Sequence, residues 1–204
     1  MGRPKQFLTI AGRPMLAWTL SAFQKSKAID GIILVVDREQ LFSAKKLNQK
    51  KVIGIAAGGK ERQDSVRNGL ALLPPSTKIV AIHDGARPAI TPQVIEKSIK
   101  EAKKFGAVVV GVPVTDTIKT VDRRPSTVDR TLNRAELWAA QTPQTFRAEI
   151  IKKAYAKLRG SVTDDAMAVE KLGISVKMVL GSYSNLKVTT PEDLKIMEAI
   201  IKWR

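Results

Sequence analysis

Residues 78–88 read Lys78-Ile79-Val80-Ala81-Ile82-His83-Asp84-Gly85-Ala86-Arg87-Pro88. Ile79 to Ile82 form a short apolar run rich in β-branched residues. Such a run is expected as a strand buried on both faces, as in a parallel sheet. Polar residues then follow abruptly. In open α/β sheets, ligands bind beyond the carboxyl ends of the strands, and Asp84 and Arg87 are placed at such an end. A carboxylate for a cation and a guanidinium for a phosphate point to a phosphorylated ligand that arrives with a metal. The competing reading has Asp84 capping the next turn and Arg87 pairing with a surface acid.

Outward from this stretch, strand and helix signals alternate. Pro14 suits the first position of a helix, and Leu16, Leu20 and Phe23 follow at helical spacing. Residues 31–36 and 52–56 read as buried strands, with a charged helix over 38–47 between them. A helix over 61–73 turns Val66, Leu70 and Leu73 inward and stops at Pro74-Pro75. A helix opening at Thr91-Pro92 faces Ile95, Ile99 and Ala102 to the core, and residues 107–112 form a further strand. This alternation predicts a mostly parallel sheet with helices on both faces. The rhythm changes at 114–141. There, polar β-prone stretches over 115–121 and 127–132 predict a projecting hairpin arm. After Gln141 helices resume, at 148–158 and 164–172. A strand over 176–180 and a last helix from Pro191 complete one domain over 1–204, with the arm at about 114–141.

The chain has 204 residues, no Cys and one His. Thiol chemistry, disulfides and zinc-type clusters are therefore excluded. No leader-like or membrane-spanning apolar run is present. The formal net charge is +16, which suits anionic partners. The lysines cluster on helix faces without interleaved aromatics to stack on bases. Nucleic-acid binding therefore ranks below small-phosphate chemistry.

No glycine-rich nucleotide fingerprint and no nucleophilic triad occurs. Instead, cations and hydroxyls recur at expected strand ends and loops. Lys5 follows the rigid Pro4. Gly59, Lys60 and Ser65 run into a helix N-terminus, a natural anion site. Thr117 and Arg134 lie on the two limbs of the arm, and Thr142 falls in a turn-like Gln141-Thr142-Pro143-Gln144. Thr163 precedes two acids at a helix start, where a simple capping account also serves. Lys187 lies in an extended piece before the final helix. This set suits nucleotidyl transfer. A phosphate monoester has a second pKa of about 6 and can attack a triphosphate without a general base, given Mg²⁺ and cations to neutralise charge.

These motifs, in this order, resemble the 2-C-methyl-D-erythritol 4-phosphate cytidylyltransferases of non-mevalonate isoprenoid biosynthesis. The matching stretches are Pro4-Lys5-Gln6-Phe7-Leu8, Glu61-Arg62-Gln63-Asp64-Ser65-Val66, His83-Asp84-Gly85-Ala86-Arg87-Pro88, Val114-Thr115-Asp116-Thr117-Ile118-Lys119, Leu137-Trp138-Ala139-Ala140-Gln141-Thr142-Pro143-Gln144, Thr163-Asp164-Asp165-Ala166 and Lys187-Val188-Thr189-Thr190-Pro191-Glu192-Asp193-Leu194. The resemblance implies a Rossmann-like nucleotidyltransferase fold that dimerises through the arm. It also implies Mg²⁺, CTP and a sugar-alcohol phosphate as partners, release of pyrophosphate, and a location in the bacterial cytoplasm or plastid stroma, away from membranes. It implies that Lys5 and Lys187 neutralise phosphates in the transition state. Gly59, Lys60 and Ser65 would line the cytidine site, with Gly85 against the nucleotide and Asp84 on Mg²⁺. Arg87, Thr117, Thr142 and Thr163 would hold the acceptor, and Arg134 would reach it from the other subunit. Ribitol-5-phosphate cytidylyltransferase and a non-catalytic nucleotide- or RNA-binding protein are the competing readings.

Two departures from the family stand out. Gly85 replaces a usual Ala. The family's opening strand and loop, Ala-Ala-Gly-x-Gly-x-Arg-Met-Gly, is matched here only by Met1-Gly2. The resemblance places that opening strand between those at Ile32–Val36 and Ile79–Ile82. The expectation is an open slot between the two, and a chain less stable and less active than one extended upstream.

Overall fold

The structure is a computed structural model and describes residues 8–47, 49–122 and 127–203. The chain opens with two short paired strands, β1 (Thr9–Ile10) and β2 (Arg13–Pro14), and then runs through α1 (Met15–Lys25), β3 (Ile32–Val36), α2 (Leu41–Lys46) and β4 (Val52–Ala57). Helix α3 (Arg62–Ala71), β5 (Ile79–Ile82), α4 (Pro92–Phe105) and β6 (Ala107–Pro113) continue the alternation. The arm strands β7 (Lys119–Val121) and β8 (Val128–Thr131) follow. Then come β9 (Trp138–Arg147), α5 (Ala148–Lys157), α6 (Asp165–Glu170), β10 (Lys177–Leu180) and α7 (Pro191–Lys202).

The helices form where the sequence places them, and their apolar faces are the ones read from it. Thr91 caps α4 by accepting from the Val94 N–H at 3.3 Å, and Gly106 ends the helix at φ 85°, a conformation that costs glycine little. Ile95, Ile99 and Ala102 of α4 are buried. Leu16, Leu20 and Phe23 of α1 and Met197 of α7 are buried as well. On one side of the sheet, Leu70 of α3 shares a core with Phe146, Ile151, Tyr155 and Val169. Fully burying a side chain such as Phe146 or Ile151 contributes roughly 1.5–3 kcal/mol.

The sheet differs from the expected one in a strand that the sequence reading missed. Residues 141–144 were expected as a turn before helices. They lie instead inside β9, which inserts antiparallel between β5 and β6 in the order β10-β6-β9-β5. Ile82 pairs with Gln144, and Pro113 with Trp138. Hydrogen bonding explains the misreading. Gln141, Thr142, Gln144 and Thr145 are polar, yet all are buried with partners for their side chains. The arm is also shorter than expected. Its strands pair Lys119 with Thr131, its outward residues Val121 and Val128 are exposed, and part of its turn, 123–126, lies outside the described residues.

Among the described residues β3 and β4 pair only with each other and no strand joins β3 to β5, as the expected slot requires; the Lys5 segment expected at its mouth lies outside the described residues. Helix α1 shows how the two are oriented. Leu16 and Leu20 pack with Leu34 and Val36, and Leu16 also lies against Gly85. Phe23, a turn or two further on, shares a core with Ile32 and Ile79. Helix α1 therefore runs antiparallel to both strands, so β3 and β5 are parallel to each other. Between them lies a cavity of about 930 Å³, lined by residues of both strands, with α1 and α3 lining its two sides and Asp84 and Lys187 on its wall.

Candidate active site at the strand ends

The carboxyl end of β5 carries the polar residues, and four other segments converge on it. The first is the 187 segment, docked by a backbone bond from the Val188 N–H to the Ala86 carbonyl at 2.8 Å. That bond brings Lys187 Nζ to 3.0 Å from Asp84 Oδ2. Arg87 Nη1 donates to the Asn185 carbonyl at 2.8 Å, and Arg87 Nε stands 3.8 Å from Asp84 Oδ2. Arg87 Nε is buried without a hydrogen-bond partner, a donor still to be used. The second segment is the start of α3, whose Arg62 Nε donates to Asp84 Oδ1 at 3.3 Å.

Asp84 is thus faced by three cations. Burial works against its ionisation, but the charges of Arg62 and Lys187, and the Lys187 hydrogen bond, outweigh it and hold the carboxyl below its ordinary range. Burial is also the main cause that lowers Arg87, with Asp84 opposing. Arg62 is the opposite case. Burial is overcome by Asp165 first and Asp84 second, and its pKa rises above the usual guanidinium value. One of the three cations is shared with Asp165, so the cluster keeps a positive excess.

Strand β9 supplies the third segment. The Asp84 N–H donates to Thr142 Oγ1 at 3.1 Å, and that hydroxyl lies 3.0 Å from His83 Nδ1. If Thr142 donates its proton to Nδ1, the ring carries its own hydrogen on Nε2, which faces the Arg87 carbonyl at 3.3 Å. Burial pushes the His83 pKa down to about 4, so the ring is neutral at pH 7. His83 is a structural histidine. Thr142 acts on the site by fixing the main chain of Asp84.

The fourth segment is the turn before α3. Gly59 donates its N–H to Ser65 Oγ at 3.0 Å, and a Cβ at Gly59 would meet Asp64 Cβ at 2.2 Å. Only glycine lets this loop lie so close to the helix start. Gly59 and Lys60 are exposed beside it. Thr163 is exposed next to α6, whose cap is Asp164, accepting from the Met167 N–H at 2.9 Å. Thr117 and Arg134 lie on the arm. Both are exposed, and Arg134 Nη1 donates to the Thr115 carbonyl. Lys5 lies outside the described residues. Gly59, Ser65, Asp84, Gly85, Arg87, Thr142 and Lys187 are therefore gathered at one end of the sheet, while Thr117 and Arg134 do not line the cavity there. Sequence reasoning assigned no role to Arg62, Asp165 and Tyr155. Two adjacent acids at one helix start, of which only one can cap, are the one sequence signal that could have pointed to Asp165.

No group of three His, Cys, Asp or Glu residues that could hold a metal ion occurs among the described residues. A protein-only metal cage is therefore not built here. Mg²⁺, however, is commonly held by one or two carboxylates plus substrate phosphates, keeping several waters. A single carboxylate among phosphate-seeking cations fits that mode.

Among the described residues, an open α/β sheet with cations and one carboxylate at its strand ends fits the class of phosphoryl- and nucleotidyl-transferring proteins. Residues 1–203 match the family described as 2-C-methyl-D-erythritol 4-phosphate cytidylyltransferase. The chain is 48% identical to the protein of that name from Alkaliphilus metalliredigens over 214 residues, covering 100% of this chain and 88% of that protein. It is 48% identical to the one from Clostridioides difficile, covering 97% and 85%. The fold superposes on the 4-diphosphocytidyl-2C-methyl-D-erythritol synthase of Anaerococcus prevotii with a TM-score of 0.88, at 33% identity over 97% of this chain and 93% of that one. The 2-C-methyl-D-erythritol 4-phosphate cytidylyltransferase of Thermus thermophilus gives 0.84 at 30% identity, over 98% and 94%. This chain belongs to the 2-C-methyl-D-erythritol 4-phosphate cytidylyltransferase family, a family of nucleotidyltransferases.

Proposed function

We propose that the protein transfers the cytidylyl group of CTP to 2-C-methyl-D-erythritol 4-phosphate. The product is 4-diphosphocytidyl-2-C-methylerythritol, with pyrophosphate released, in isoprenoid precursor synthesis in the bacterial cytoplasm. The observation that carries this reading is the convergence of Arg62, Arg87 and Lys187 on Asp84 at the end of β5. An acceptor phosphate oxygen attacks the α-phosphorus, the new P–O bond forms, and the bond to the bridging oxygen of pyrophosphate breaks. The acceptor is already an anion, so no general base is needed. The protein's task is to hold two polyanions in line and neutralise developing charge. Lys187, with Lys5, neutralises the phosphates. Gly59, Lys60, Ser65 and Gly85 receive the nucleotide; Arg87 and Thr163 hold the acceptor directly, Thr142 contributes through the Asp84 main chain that its hydroxyl fixes, and Thr117 reaches the acceptor from the arm. Asp84 would hold Mg²⁺, which would supply positive charge to offset the negative charge of the triphosphate.

The names of the relatives favour this acceptor over ribitol 5-phosphate and over a non-catalytic binding role. Turnover with CTP and each of the two acceptors is the direct test. Preference for methylerythritol phosphate is expected, and faster reaction with ribitol phosphate would reject the assignment.

The exposed arm supports a homodimer in which Arg134 reaches the partner's site. Arg134→Ala and Lys187→Ala are each expected to be strongly impaired, and a mixture of the two to regain part of the activity through hybrid dimers. No recovery despite demonstrated subunit exchange would mean the site is not shared.

The 187 segment enters α7 through a capping box. Thr190 Oγ1 accepts from the Asp193 N–H at 3.3 Å, while Asp193 Oδ2 accepts from the N–H groups of Thr189 and Thr190 and the Thr189 hydroxyl, each at 2.8 Å. These bonds, led by the Thr189 N–H, lower the Asp193 pKa to about 2. A depressed carboxyl stabilises the folded state above its unfolded pKa of 3.8, and the contribution is lost as pH falls through 2. Carboxyl NMR is expected to show Asp193 titrating near pH 2. A midpoint at the unfolded value would remove the box from the acid stability of this segment.

A further inference from the structure

Behind Asp84 lies a second carboxylate that the proposed reaction does not use. Asp165, in the first turn of α6, is fully buried. Arg62 grips it with both ends of its guanidinium, Nη1 to Oδ1 at 3.0 Å and Nη2 to Oδ2 at 2.7 Å. Tyr155 of α5 donates its hydroxyl to Oδ1 at 2.6 Å. Burial, with Asp165 beside it, raises the pKa of that phenol, so it stays a donor at neutral pH. The main chain that carries it is anchored as well. The N–H groups of Asp165 and Ala166 both donate to Gln144 Oε1 at 2.9 Å. Gln144 is the β9 residue paired with Ile82, two residues before Asp84.

The geometry of a guanidinium makes this arrangement directional. The group is planar and presents its donors as a fixed fork. Once two of them are locked on Asp165, the third, Nε, can point only one way, and it points at Asp84 Oδ1, 3.3 Å away. The terminal torsion of an aspartate is broad, so the plane of its carboxylate must be set by neighbours. Lys187 cannot set it, since its ammonium is a single point charge on a flexible stem and its side chain is 43% exposed. Arg62 can, because it is itself held by a buried acid.

We propose that Asp165 is a positioning residue. With Tyr155 it locks the Arg62 guanidinium, and Arg62 in turn holds the Asp84 carboxylate in the orientation that receives a divalent cation. The inference rests on the proposed metal role of Asp84. Groups that orient a metal's ligands change metal affinity by about 10–100-fold when lost, and that is the size of effect expected here.

The test is binding of Mn²⁺ to the full chain with CTP saturating and no acceptor, alongside binding of CTP without metal. Asp165→Asn and Arg62→Lys are each expected to weaken Mn²⁺ binding by about 10–100-fold, and Asp165→Asn to leave metal-free CTP affinity unchanged. The double variant should be no weaker than the worse single, because both substitutions break the same chain of contacts. Tyr155→Phe should have a smaller effect in the same direction. If Asp165→Asn does not fold, as circular dichroism would show, Arg62→Lys and Tyr155→Phe still decide the matter. Wild-type Mn²⁺ affinity in a folded Asp165→Asn or Arg62→Lys protein overturns the proposal. So does an equal loss of metal-free CTP binding in Arg62→Lys, which would make Arg62 a phosphate ligand. Asp84→Asn separates the two layers. If it loses Mn²⁺ while the other variants keep it, positioning alone is wrong. If it also binds Mn²⁺ normally, the metal role of Asp84 is wrong and the proposal goes with it.

Discussion

Lys187→Ala is expected to lower turnover by about 10²–10³ while leaving the protein folded. The two halves of this expectation have separate causes. Folding is spared because the 187 segment is held by its main chain, through the bond from Val188 to Ala86, and by the capping box of α7. The ammonium itself is on a side chain 43% exposed, and an ion pair that open to solvent contributes little to stability. Asp84 also keeps Arg62 and Arg87 after the substitution. Turnover suffers because a cation within 3.0 Å of the only carboxylate proposed to hold metal is placed to meet a triphosphate, and charge aimed at a developing anion acts most in the transition state. The measurement is kcat on a variant whose unfolding temperature matches that of the unsubstituted chain. Lys187→Arg, which keeps the charge and changes its shape, should fall between the two. Unchanged turnover in folded Lys187→Ala would take this residue out of the site.

Much of the frame around Lys187 is legible in the sequence, for reasons that are local. Leu16, Leu20 and Phe23 repeat at helical spacing, and the four apolar residues before His83 mark a buried strand, so α1 and β5 follow from pattern alone. Strand β9 does not. Pro143 has no N–H to give to a sheet, and Gln141, Thr142 and Gln144 look like turn residues. All four are buried there, and Gln141, Thr142 and Gln144 can be because hydrogen-bond partners await them on Ser182, His83, Asp164 and the α6 main chain. Such partners lie tens of residues away, and no local pattern encodes them. The Arg62–Asp165 pair shows the same limit more sharply. Its members are 103 residues apart, and both occur in stretches that a helix start explains by itself. Asp164 does act as the cap, and its neighbour Asp165 turns inward to the guanidinium. A capping account of two adjacent acids can be right for one and silent on the other. The slot was read differently, from a comparison of order. Among the described residues, β3 and β5 have no common neighbour.

Filling that slot is expected to stabilise the protein and raise its activity. The cavity of about 930 Å³ lies between two strands that run parallel, with α1 and α3 lining its sides, so it has the form of a place for one more parallel strand. Closing it by direct pairing would require moving β3 by an extra strand spacing of ~4.8 Å past α1, which packs on both β3 and β5. The inner backbone edges of both strands therefore remain without ladder partners from one another. A buried backbone group left unsatisfied costs about 1–3 kcal/mol. A short apolar, β-branched peptide can supply ladder bonds on both edges and bury side chains against both helices. Bound at a concentration 100 times its Kd, such a peptide would add about 2.7 kcal/mol. In a protein of this size 1 kcal/mol shifts the melting temperature by about 2–4 °C, so a rise of several degrees is expected. Joining such a strand covalently to the protein should raise it further, because it is then held at high effective concentration. Asp84 and Lys187 line the same cavity, so filling it also firms the wall that carries the reactive groups, and kcat should rise with stability. The control is the same peptide with its central residue replaced by Pro, which cannot donate to a ladder. Equal melting temperatures with the two peptides at saturation, and no gain from the fused strand, would show that β3 and β5 need no neighbour between them.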